Sequence, residues 1–228
     1  MRKCKHVVAK RVIDSIMSLI AIIILLPLTI PIALILRLTG EGEILYRQVR
    51  VGQNGKRIRV AKFATMLKDS PNIGTRDITA ENDSRVLPVG KFLRKTKLNE
   101  IPQFLNVLFG TMSLVGPRPL TERIFSYYSD ADQELIKRMR PGLTGVGSII
   151  FRDEESAIRN SSKPIELFYK EDIVPYKALL ERWYYEHRSA VNDLLILVVT
   201  VVVVMRPRSI IYRKIWKDLP EADERRER

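Results

Sequence analysis

A chain of 228 residues, 46% of them hydrophobic, can bury one sizeable core. Lys and Arg outnumber Asp and Glu 39 to 26, a formal charge of +13, so the expected partner is anionic: nucleic acid, a phosphorylated small molecule or an anionic membrane surface. The single Cys4 excludes an internal disulfide, and the two histidines, His6 and His187, lack metal-ligand spacing.

Residues 16–36, IMSLIAIIILLPLTIPIALIL, form an uncharged run long enough to span a bilayer core of roughly 30 Å. No cleavage-site pattern follows it, so it is expected to be retained. Basic residues flank it on both sides: Arg2, Lys3, Lys5, Lys10 and Arg11 before, Arg37, Arg47, Arg50, Lys56, Arg57 and Arg59 after. Positive charge marks the cytoplasmic side, which puts both ends there, and Pro27 with Pro31 supplies a means of reversal. The expectation is a re-entrant helix–break–helix with its break at Pro27; a Pro-kinked spanning helix is the competing reading.

Residues 44–51 and 56–63 alternate β-branched or aromatic with polar side chains around a turn holding Asn54 and Gly55, which predicts a β-hairpin. Residues 70–89 are rich in Asp, Asn, Ser, Thr and Pro and read as a long surface loop. In KLNEIPQFLNVLFG, residues 97–110, Ile101, Phe104, Leu105 and Leu108 share one helical face, Asn99 reads as the N-cap and Gly110 as the terminator. Asn99 and Glu100 then admit two readings. One is a well-capped helix without chemistry; the other is a helix entrance that binds phosphate, with the carboxylate holding a divalent cation.

Downstream, SLVGPRPL sets Arg118 between two prolines that fix an extended backbone, suited to a bidentate grip on phosphate. Residues 121–139 predict one helix capped by Thr121. RPGLTG, residues 140–145, reads as a turn-rich loop, and FRDEE follows with Arg152 beside the carboxylates of Asp153 and Glu154. From Pro175 a helix carries Tyr176, Leu179, Leu180, Trp183 and Tyr184 as a core face. Residues 194–205, LLILVVTVVVVM, are too short to cross upright and read either as an interfacial segment facing anionic lipids or as a buried element. The tail EADERRER is a solvated charge run.

KRVIDSIMS, YRQVRVGQNGKRIRVAKF, NDSRVLPVGKFLRKTKLNEIPQFLNVLFGTMSLVGPRP and RPGLTG, in this order between residues 10 and 152, resemble the monotopic polyprenyl-phosphate phosphoglycosyl transferases of the bacterial sugar transferase family. The resemblance implies transfer of a sugar 1-phosphate from a UDP-sugar to undecaprenyl phosphate with Mg²⁺. The products are undecaprenyl-diphosphate sugar and UMP, and the active site faces the cytoplasm at the bacterial inner membrane. It places the family's Asp-Glu pair on Asn99 and Glu100, with Glu100 as the Mg²⁺ ligand, the hairpin lysine on Lys62, and the phosphate-binding arginines on Arg94, Arg118 and Arg152. Asp83 and Arg85 fall on the family's Asp-Pro-Arg segment, with Ser84 in place of Pro. Ala64 and Leu26 depart from the family's usual Arg and Ser.

In the family the Asp takes the phosphosugar covalently, and a neutral amide is a very poor nucleophile toward phosphorus. Direct attack by the lipid phosphate, or attack by Glu100, Asp153 or Glu154, replaces that route; a non-catalytic homologue that binds lipid phosphate or a partner protein is the alternative. A nucleic-acid binder suits the charge but not the membrane segment, and the chain carries no nucleic-acid motif. The expected class is α+β: a mostly helical small domain with a β-hairpin and an N-terminal re-entrant membrane helix. Its expected divisions are a membrane segment 1–40, a cytoplasmic catalytic domain 41–193 and a membrane-associated C-terminal segment 194–228. The residues do not choose between a monomer and a homo-oligomer.

Overall fold

An apolar segment without water must close its backbone hydrogen bonds internally, and the N-terminal run does so as one helix, α1 (Arg2–Leu38). The computed structural model describes residues 2–39, 41–73, 78–79 and 83–221, with the side chains of residues 2–7 and 71 outside that description. The flanking Arg2, Lys3 and Lys5 side chains, Cys4, His6 and most of the charged tail therefore lie outside the described residues. By length and composition, α1 could cross a membrane.

The break expected at Pro27 does not occur, because α1 continues through Pro27 and Pro31. Each proline deletes one backbone bond, whereas leaving the helix among apolar residues would strand several polar groups. The buried residues of α1, Asp14, Ser18, Ile32 and Leu36, lie within about 40° of one another around the helix axis at about 100° per residue. One stripe therefore meets the body, while Ile16, Ile20, Ile23, Ile24 and Ile30 on the other side are exposed. At one end Arg11 donates to the Val107 and Leu108 carbonyls, each at 2.6 Å, and Asp14 accepts from the Ser113 hydroxyl at 2.7 Å. At the other end Ile32 and Leu36 pack with Phe63, Leu93 and Ile101.

The hairpin forms as expected from β1 (Leu45–Val51) and β2 (Arg57–Phe63), antiparallel with Leu45 opposite Phe63 and Val51 opposite Arg57. Asn54, at φ 57°, and Gly55, at φ 72°, turn the chain between them. Ile58 and Val60 enter the main core. Helix α2 (Pro88–Lys95) begins inside the stretch read as loop, since Pro88 is preorganised for a first helical turn.

The next helix also starts later than its sequence suggests. Residues Leu98–Glu100 form a 3-10 turn, and α3 (Gln103–Leu108) begins only after Pro102, whose missing N–H suits a helix start. Asn99 lies inside the tight turn and caps nothing. The buried face is Ile101, Gln103 and Val107, with Leu105 exposed, and Gly110 at φ 84° ends the helix as expected.

Strand β3 (Ser113–Val115) runs parallel to β4 (Gly142–Thr144), so the RPGLTG stretch is a strand rather than a free loop. A Cβ on Gly142 would stand 2.2 Å from the Gly116 nitrogen; only glycine allows this approach. The helix predicted over 121–139 is two, α4 (Glu122–Phe125) and α5 (Asp130–Lys137). Ser129 caps the second as Thr121 caps the first, accepting from Asp132 N–H at 3.2 Å and from Ile124 N–H at 3.3 Å respectively.

Short helices α6 (Val146–Ile150), α7 (Glu154–Arg159) and α8 (Ile165–Phe168) lead through a π-turn, Tyr169–Ile173, into α9 (Val174–Glu186). Helix α9 buries Tyr176, Leu180, Trp183 and Tyr184 as expected, and leaves Leu179 partly exposed. Helix α10 (Ala190–Met205) is a buried element along one face, with Ile196, Val199 and Val203 in the core, and leaves Leu194, Val198, Val201 and Met205 exposed. Lys10 of α1 pairs with Asp193 at its start, and α11 (Ile211–Ile215) closes the described chain. The architecture is α+β, mostly helical with a small hairpin.

Candidate active site

The hairpin, α2, the Leu98–Glu100 turn, the proline-flanked segment after β3 and the start of α7 surround a cavity of about 1310 Å³. Lys62, Asp83, Arg94, Asn99, Glu100, Arg118, Arg152, Asp153 and Glu154 all line it. Arg85 does not; it is buried behind the wall.

Local backbone geometry sets the centre. Pairing of Gly116 N–H with the Thr144 carbonyl at 2.9 Å, and of Gly142 N–H with the Pro117 carbonyl at 2.8 Å, anchors the strand that delivers Arg118. The tight turn delivers Glu100, whose N–H donates to the Lys97 carbonyl at 3.1 Å. The two side chains meet: Arg118 Nη2 donates to Glu100 Oε1 at 3.1 Å. Burial pushes the Glu100 carboxyl up, but Arg118, Lys62 and Lys97 outweigh it and hold it down at about 2, so it is ionised. Burial pushes the Lys62 ammonium down to about 7 against the pull of Glu100, with Arg50, Arg118 and Arg94 adding to the fall. Glu100 raises Arg118.

Around this centre, Arg94 pairs with Glu155 at 3.0 Å. Arg152 donates to the Val204 carbonyl of α10 at 3.3 Å, and its Nε is buried without a partner. Asn99 is 6% exposed, and its Oδ1 is likewise buried and unpartnered. Glu154 is taken up by Lys177 at 2.8 Å, and Lys177 also donates to the Tyr169 hydroxyl at 3.1 Å. Asp153 is exposed at the start of α7. Arg85 holds Asp83 and donates to the carbonyls of Ser70 at 3.0 Å, Ile73 at 2.7 Å and Ile78 at 3.2 Å. The Asp83–Arg85 pair thus organises the loop, and the Arg85 bond holds the Asp83 carboxyl below its usual range.

A magnesium ion bound by one carboxylate plus substrate phosphates fits this donor set, with Glu100 as the carboxylate and the unpartnered Asn99 Oδ1 as a neighbouring hard oxygen. Among the described residues no group of three His, Cys, Asp or Glu side chains is gathered to hold a metal by the protein alone. The arrangement is that of an anion site: fixed cations around one ionised carboxylate.

The family model described as bacterial sugar transferase matches residues 5–207, which include every residue of this cavity named above. The chain belongs to the bacterial sugar transferase family. It is 40% identical over 164 residues to a UDP-glucose:undecaprenyl-phosphate glucose-1-phosphate transferase of Klebsiella pneumoniae, covering 71% of this chain and 35% of that protein. Similarity to an undecaprenyl-phosphate galactose phosphotransferase of Salmonella typhimurium is 32% over 215 residues, 86% of this chain and 40% of the relative. An exopolysaccharide production protein of Rhizobium leguminosarum is 38% identical over 147 residues, 62% of this chain and 74% of the relative. The chain thus spans little more than a third of the length of the first of these relatives.

Within this member of the family, sequence reasoning missed Lys97, Lys177 and Glu181. Lys177 and Glu181 are both 6% exposed, four residues apart on α9. A charged pair at that spacing inside the apolar face of α9 was the available signal. Glu181 has an unpartnered Oε2 and accepts from the Arg118 amide; burial pushes its carboxyl up to about 7.

Proposed function

We propose that this chain transfers a sugar 1-phosphate from a UDP-sugar to undecaprenyl phosphate at the cytoplasmic face of the bacterial inner membrane. The observation that carries the proposal is the convergence of Glu100, Arg118, Lys62, Arg94 and Arg152 on one cavity whose wall also includes apolar Phe92, Val204 and Met205. Cations suit a diphosphate and the apolar wall suits a lipid-borne acceptor. Membership of the family and the activities named for its relatives support the same reaction.

With an amide at position 99, the chemistry proposed is direct displacement. A lipid-phosphate oxygen forms a bond to the β-phosphorus of the UDP-sugar as the bond to the bridging oxygen breaks, and UMP leaves with that electron pair. No proton need move. Arg118 and Lys62 hold the diphosphate oxygens in place, Arg94 and Arg152 hold the incoming phosphate, and the fixed charges match those that develop in the transition state. Magnesium, when bound through Glu100, neutralises diphosphate charge. Glu100 is poorly suited to attack, since at about 2 its carboxyl is weakly basic and Arg118 occupies Oε1.

The proposed placement puts both ends of α1 on one side of the membrane. Residues near both of its ends touch the same body, Arg11 and Asp14 at one and Ile32 and Leu36 at the other, which supports a helix that enters and rests in one leaflet without carrying its two ends to opposite sides. Exposed apolar side chains of α1 and α10 supply the lipid-facing surface.

The test is UMP release by the full chain in nanodiscs supplied with Mg²⁺, undecaprenyl phosphate and each of the common UDP-hexoses and UDP-N-acetylhexosamines. Release with one of them is expected, and its absence with all of them from folded protein contradicts the proposal. Asn99 favours a second reading, a homologue that binds lipid phosphate or a partner without turnover; under it, Asn99→Asp creates activity where there was none.

A further inference from the structure

Lys97 has no role in the transfer chemistry above, yet its setting is costly. It sits at φ 61° and ψ 10°, the left-handed region that glycine and asparagine adopt readily and lysine does not. Strain of this kind is concentrated where function demands it. The side chain is half-buried in the cavity wall, where the charges of Glu100, Arg118, Arg152 and Arg94 act on it. Among the described residues the ammonium has no hydrogen-bond or ion-pair partner. A lysine stem is long and flexible enough to carry an unpaired charge into solvent, but this one stays inside.

Charge balance says what is missing. Lys97, Arg118 and Arg152, with Lys62 only part-charged at about 7, face the one carboxylate of Glu100, while nearby Glu154 is committed to Lys177 and Glu155 to Arg94. Cations therefore outnumber the uncommitted carboxylate, and the doubly charged diphosphate of a UDP-sugar is an anion that balances them. We propose that Lys97 is a phosphate-binding residue, presented by its left-handed backbone to the diphosphate opposite Arg118. This rests on the proposed function for the identity of the anion. The same backbone turn presents the Lys97 carbonyl that fixes Glu100, so one strained residue positions the carboxylate and supplies a cation beside it.

Replacement by glycine separates charge from backbone, because glycine keeps the turn and relieves the strain. The Lys97→Gly chain in nanodiscs is expected to melt no lower than the wild type, yet to bind UDP about tenfold more weakly by calorimetry, about 1.4 kcal/mol. Uridine, which lacks the diphosphate, is expected to bind both equally. Lys97→Asn, neutral and tolerant of the same backbone, should reproduce the loss, and Lys97→Arg should restore affinity to within about threefold of the wild type. Equal UDP affinity in the wild type and Lys97→Gly overturns the assignment of Lys97 alone. Failure of the wild type to bind UDP at all overturns the proposed function and this assignment with it.

Discussion

Arg118 donates to the Glu100 carboxylate at 3.1 Å across 18 residues of sequence, joining a proline-framed strand to a tight turn. Removing the Glu100 charge while keeping its shape, Glu100→Gln, leaves Lys62, Lys97 and Arg118 unopposed. UMP formation is expected to fall by about 10²–10³-fold, while UDP binds at least as tightly as before. Steady-state rates beside calorimetry measure both, and unchanged turnover would remove Glu100 from the reaction.

Asn99 is buried beside that pair with an idle Oδ1. Asn99→Asp supplies a nucleophile of nearly the same size. The variant is expected to release up to one equivalent of UMP without any lipid acceptor and to gain the mass of a phosphosugar on the intact protein. An Asn99→Asp chain that stays unmodified and acceptor-dependent means that position 99 cannot reach the β-phosphorus.

Arg85 is 3% exposed and ties Asp83 to three loop carbonyls, so its part is in holding the cavity wall. Arg85→Ala leaves a buried carboxylate and several carbonyls without donors, and a loss of about 3–5 kcal/mol is expected in chemical unfolding. The exposed Arg57–Glu122 pair between the hairpin and α4 is the control, where Arg57→Ala should leave stability unchanged. Equal effects at the two sites would show that the loop does not depend on Arg85.

Glu181 gives the fold a pH dependence. Burial raises its carboxyl from 4.5 to about 7, so between those values the folded chain holds a proton that the unfolded chain has released. The stabilisation is complete below pH 4.5 and is lost as pH rises through 7. Glu181→Gln should match the wild type near pH 4.5 and exceed it at pH 8 by on the order of 3 kcal/mol. A gap between the two melting curves that does not widen over this range means that Glu181 does not carry the buried proton.

Much of this was legible in the sequence where the signal is local. Alternation around Asn54 and Gly55 predicts the hairpin, and Thr121 and Gly110 mark helix ends where the chain has them. The separated motifs also named Lys62, Arg94, Asn99, Glu100, Arg118 and Arg152, which line one cavity. What was not legible depends on contacts between distant segments. Pro27 reads as a break, but a helix docked along a body on one stripe loses less by continuing. Asn99 reads as a cap because Asn and Asp share that role, yet Pro102 postpones the helix and leaves Asn99 in a tighter turn. RPGLTG reads as loop, because a three-residue parallel strand made by close glycine contact has no periodicity to detect.

A rapid-quench measurement of UMP formed from a radiolabelled UDP-sugar, with and without undecaprenyl phosphate, tests most directly whether a cavity with an amide at position 99 moves the phosphosugar in one displacement. UMP is expected only when the lipid phosphate is present, rising with its concentration and without an acceptor-independent burst. A burst in its absence would contradict direct displacement, and no UMP under either condition would contradict phosphosugar transfer by this chain.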